Sequence, residues 1–87
     1  MERQSITELN VADFIVLFAS VRCSSAGIEL RLRLGGMSEE RFGALARVWQ
    51  QQGPITLRYP DHTVTGMLSE AIQHPGGEVT VGCFVRA

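Results

Sequence analysis

Lysine is absent from this chain of 87 residues, and all eight of its basic side chains are arginines. Nine carboxylates bring the formal net charge to -1 at pH 7. General nucleic-acid binding, which draws on a basic face, therefore has no support in composition. An arginine-only set has two readings. One is guanidinium recognition of carboxylates or phosphates; the other is the codon bias of a GC-rich genome, which is the more economical.

Cysteine is scarce as well. Cys23 and Cys83 stand far apart, with no C-x-x-C spacing, which is too thin for a zinc site or a disulfide scaffold. Both fall in strand-like segments, so buried free thiols are the expectation, with a disulfide between neighbouring strands as the alternative. Long apolar runs are missing too. The run from Phe14 to Val21 is well short of the ~20 residues that span a bilayer. It also lies too far from the start to read as a signal peptide. Synthesis in the cytoplasm and no membrane partner are the expectations.

Catalytic patterns are likewise wanting. His62 and His74 are the only histidines, each in a turn-like segment, with Asp61 and Glu78 nearby in sequence. A histidine base needs a nucleophile as well as an orienting carboxylate, and no spacing here specifies one. Ser24-Ser25 lacks the G-x-S-x-G frame of a nucleophile elbow. Gly35-Gly36 and Gly76-Gly77 lack the Lys-Ser/Thr that completes a phosphate-binding loop. Glu39 and Glu40 diverge by about 100° around a helix, so they suit a helix N-terminus better than paired acid catalysis. Residue chemistry points to no catalytic residue, no metal ligand, no cofactor and no small-molecule substrate.

What is present is a small folded domain. At 45% hydrophobic and 20% charged residues the composition is globular. A single core is all this length supports, and a chain of this size buries only roughly 60–65% of its unfolded surface. Residues 1–10 show little periodicity and read as a flexible arm or a short edge segment, leaving 11–87 as the domain.

Val11 to Cys23 is apolar on both faces and rich in β-branched and aromatic residues. It reads as a strand covered on both sides, although period alone does not separate it from a buried helix. Ser24–Gly27 is a turn. Ile28, Leu30, Leu32 and Leu34 then alternate with Glu29, Arg31 and Arg33, the mark of a half-buried strand.

After Gly35-Gly36, Ser38 can cap a helix, with Glu39 and Glu40 in its positive first turn. Met37 and Phe42 occupy hydrophobic-staple positions. Phe42, Leu45 and Trp49 form an apolar stripe, flanked by Ala46 and Val48, and Arg41 and Arg47 fall on the wet side. Gly53 reads as the left-handed residue that ends the helix, and Pro54 prevents its continuation. Ile55, Leu57 and Tyr59 alternate into a third strand, and Pro60-Asp61-His62 turns it back. A longer strand covers Thr63–Gln73, where Gly66 marks a bulge or leaves room for a bulky neighbour such as Trp49. A turn at His74–Gly77 leads into a last strand through Val79, Val81, Cys83 and Val85. The order is ββαβββ. The fold class is α+β, one helix on a mainly antiparallel sheet, as a two-layer sandwich or a half-closed small barrel.

The sheet carries the candidate site. Val16, Phe18 and Phe84, placed on its second face, expose apolar area that one helix cannot cover, which points to an oligomer, to a partner or to the N-terminal arm packing there. Arg31 and Arg33 share a strand face, joined by Arg22 or Arg58. They read as a solvated face, a protein interface or a weak anion contact.

The segment from Ile28 to Leu68 matches a strand–helix–hairpin pattern at Leu32, Leu34, Gly36, Leu45, Trp49, Gly53, Thr56, Leu57, Pro60, Asp61, Gly66 and Leu68. In this it resembles small bacteriophage tail and baseplate proteins, with His62 where a glycine is typical. The resemblance implies a non-enzymatic building block that docks on copies of itself or on neighbouring tail proteins, and incorporation into a virion. Two other readings stand beside it: a small phage-encoded module that regulates a host protein, and a nucleic-acid contact through Arg31 and Arg33.

Overall fold

The computed structural model describes residues 8–86. Its strands are β1 (Glu8–Asn10), β2 (Val16–Ser24), β3 (Gly27–Leu34), β4 (Pro54–Arg58), β5 (Thr63–Gln73) and β6 (Val79–Arg86). One helix, α1 (Glu39–Gln50), lies between β3 and β4, and a turn of 3-10 helix spans Val11–Asp13. All six strands join one sheet in the order β1-β4-β5-β6-β3-β2. Only β1–β4 is parallel; the other pairings are antiparallel. The domain is thus α+β with a mixed sheet.

The expected order lacked a strand. Within residues 1–10, read as a flexible arm or a short edge segment, Glu8–Asn10 is a short edge strand that pairs with Thr56–Arg58. The rest of that arm, residues 1–7, lies outside the described residues. Leu9 carries the insertion, buried to 2% exposure within the core.

Alternation decides which side of the sheet is dry. Leu32 and Leu34 on β3, Val79, Val81 and Cys83 on β6, and Ile55 and Leu57 on β4 point to one face and are buried with Leu45 and Val48 of α1. The two edges of the sheet are joined by Val11–Ile15 alone. Across a flat sheet, five strand spacings would separate β1 from β2 by about 24 Å. That linker, partly wound into a 3-10 turn, spans only about 16 Å. The sheet therefore curls.

Ser38 caps α1 as its sequence position implies, its side chain accepting from the Arg41 N–H at 3.2 Å. Met37 and Phe42 both pack against the core. The buried stripe is Leu45 and Val48, however, and Trp49 remains 37% exposed at its margin. The indole N–H of Trp49 donates to the Ser69 carbonyl at 3.1 Å. Ser69 sits in the register shift between Leu68 and Glu70, where a bulge frees a main-chain acceptor.

The helix end also differs from expectation. Gln52, not Gly53, is left-handed, with φ 55. The Gly53 N–H bonds the Val48 carbonyl at 2.9 Å and the Gln52 N–H bonds that of Trp49 at 3.0 Å. This pair of bonds is a Schellman motif with a side chain where glycine is usual. Gln52→Gly is expected to stabilise the fold by on the order of 1 kcal/mol, read as a higher urea midpoint at unchanged m-value.

A candidate protein interface at the sheet edge

Strand β2 is the second edge of the sheet, and all nine of its residues are exposed. The double-sided apolar pattern of this segment predicts cover on both faces; among the described residues it has cover on neither. Among the described residues no element packs over it, and α1 lies across β5. Phe18 is 61% exposed, Val21 62% and the adjoining Ile15 73%.

The five residues expected at an interface do not form one patch. The register places Val16 opposite Leu34 and Phe18 opposite Arg33. Cross-strand partners share a face, so Val16 lies on the core side of the sheet and Phe18 on the outer side. The cause is the register shift between them: Leu17 is one extra residue, which reverses the side-chain parity that two-residue spacing implies. Phe84 does lie on the outer face, half-buried between Glu29 and Met67.

Arg31 and Arg33 are on that outer face too, but neither is free. Arg31 pairs with Glu70, and Arg33 Nε donates to Glu78 at 2.8 Å. Arg58 similarly pairs with Glu8 of β1. Each pair is exposed and worth about 0–1 kcal/mol. Their larger effect is to neutralise the basic patch.

Cys83 is buried and Cys23 exposed, and both are free thiols. Burial pushes the Cys83 thiol above its ordinary pKa. Cys23 departs from the expected burial because it belongs to the uncovered edge.

The two histidines serve their turns. His62 stacks on Tyr59 with ring centroids 4.6 Å apart, and its Nδ1 donates to Asp61 at 2.7 Å. That hydrogen bond holds the Asp61 carboxyl below its usual range. His74 Nε2 shares a 2.6 Å hydrogen bond with the Thr80 hydroxyl. Glu78, considered as its orienting carboxylate, turns to Arg33 instead and meets His74 only through its main-chain carbonyl.

One cleft of about 290 Å³ opens between β1, the 3-10 turn and α1. Glu8, Asp13, Arg41 and Arg58 line it, and Glu8 and Arg58 bond to each other. Among the described residues no group of three or more His, Cys, Asp or Glu side chains is placed to hold a metal ion. No helix there is long and apolar enough to cross a membrane. In comparisons with protein-family models, curated proteins and solved structures, nothing matches this chain.

Proposed function

We propose that this protein is a non-enzymatic structural or assembly component of the phage tail and baseplate kind, acting through protein–protein contacts on its sheet. The observation that carries this reading is β2. It is a nine-residue edge strand, exposed throughout, with Phe18 and Val21 each more than half accessible on opposite faces. Folded proteins ordinarily blunt such an edge with charge, proline or covering structure. The opposite edge obeys that rule, since β1 has three residues and its Glu8 is charged. On β2 the single charge is Arg22.

The reading places this edge on a half-closed small barrel with α1 across one side. The short link Val11–Ile15 supports rolling over a flat sandwich. Partners are further copies or neighbouring proteins of an assembly, met after synthesis in the cytoplasm. The ion pairs on Arg31 and Arg33 weigh against a nucleic-acid contact there. Light scattering over a wide range of protein concentration tests the reading: the weight-average mass is expected to rise with concentration. A strict monomer at the highest concentration would overturn it.

A further inference from the structure

We infer that β2 pairs antiparallel with the β2 of a second copy about a two-fold axis at Val21, which joins two sheets into one of twelve strands. The inference rests on the assembly reading above and names its partner. Among the described residues, strand β2 lacks cover along its hydrogen-bonding edge and on both faces at once. A partner lying on one face would leave the main-chain N–H and C=O groups of the edge unpaired by protein. An added strand satisfies them and extends both faces together.

The self-pairing register follows from the ends of the regular run. The register shift after Val16 interrupts the strand at Leu17. The turn to β3 closes it at Ser24, which pairs with Gly27. Between them Phe18–Ser24 is uninterrupted, and its central residue is Val21. A two-fold perpendicular to the sheet keeps the two core faces on the same side, so residues of matching face meet. Val21 then meets the Val21 of the second copy, Ala19 meets Cys23, and Ser20 meets Arg22. Phe18 falls opposite Ser24 at the ends of the run. No charge stands directly opposite a like charge, and Arg22 faces Glu29 within its own hairpin. Moving the axis to Arg22 would oppose two guanidiniums, which a self-pairing strand avoids.

The seam is narrow. Seven paired residues and their flanks fall below the roughly 20–30 residues a side of a standard interface, so a micromolar equilibrium is the expectation. Sedimentation velocity on the full chain tests it with wild type, Val21→Glu, Val21→Lys and an equal mixture of the two variants. Val21 is 62% exposed, so either charge is tolerated in the folded monomer, which a thermal melt verifies. Each variant alone should dimerise at least about tenfold more weakly, because like charges meet on the axis. The mixture should recover dimer as a Glu–Lys pair. Val21→Cys in a Cys23→Ser background should also form an intermolecular disulfide on mild oxidation, since directly opposed residues lie about 4.5–5.5 Å apart.

A wild type that self-associates with the charge variants unaffected would overturn this edge and leave assembly through another surface. A wild type that is monomeric throughout would overturn both. Loss of dimer in the charge variants without recovery in the mixture, or without the Val21→Cys crosslink, would overturn the register.

Discussion

Gly66→Ala is expected to cost about 3 kcal/mol or more, a large fraction of the stability a domain of this size has. A Cβ at this position would lie 2.4 Å from the Phe84 carbonyl oxygen and 2.9 Å from Cys83 Sγ. The nearer atom is main chain, so no rotamer change relieves the clash. Gly66 pairs with Ile55 on β4, and the next residue, Met67, pairs with both Pro54 on β4 and Phe84 on β6. Strand β5 thus passes from one neighbour to the other at this point, and β6 backbone presses against it there. Room for Trp49 is not the reason for the glycine, and the bulge is at Ser69 rather than Gly66. Gly36→Ala is the control, since a Cβ there meets nothing within 4 Å; it should stay within about 0.5 kcal/mol of wild type. Urea unfolding of both variants gives the comparison. Equal stability of the two would mean that β5 and β6 do not approach as described.

Leu34→Ala should cost about 2–5 kcal/mol. Leu34 is 0% exposed at the end of β3, between Val16 on β2 and Val79 on β6. Removing its branched end leaves a cavity in the core that close-packed neighbours fill only in part. Val16→Ala, in the same cross-strand row but 41% exposed, should cost under about 1 kcal/mol, because little apolar area leaves the interior. The contrast locates the boundary of the core. It falls between β3 and β2, so β2 contributes its edge hydrogen bonds to the fold and keeps its side chains outside.

Local rules served well where one segment contains its own cause. Ser38 caps a helix because its hydroxyl reaches an N–H three residues on, and the alternation from Ile28 to Leu34 records a sheet with one wet face. The turns at Pro60–His62 and His74–Gly77 are equally local. What failed to show depends on distant partners or on a single unmarked residue. Three residues of β1 carry no period of their own and are held by β4, far along the chain. Glu70 and Glu78 lie 39 and 45 positions from the arginines they neutralise, so Arg31 and Arg33 read as a free basic pair. Nothing in the composition of Leu17 marks it as the extra residue that parts Val16 from Phe18. The helix end misleads differently, because Gly53 stands beside Gln52 and is the residue that usually takes the left-handed conformation. Apolar character on both faces of β2 was visible in sequence. It did not mean burial among the described residues, and under the function proposed above it marks a surface for a partner.

Amide hydrogen exchange along Phe18–Ser24, followed as protein concentration rises, tests most directly whether this edge is where the protein meets its partner. In the free monomer the β2 amides that point away from β3 are expected to exchange rapidly, since no acceptor among the described residues protects them. Protection of those amides that grows with concentration, with α1 and β4 unchanged, is the expected result. Exchange that stays fast at every concentration, or protection that develops on another surface, would contradict the assignment of β2 as the interface.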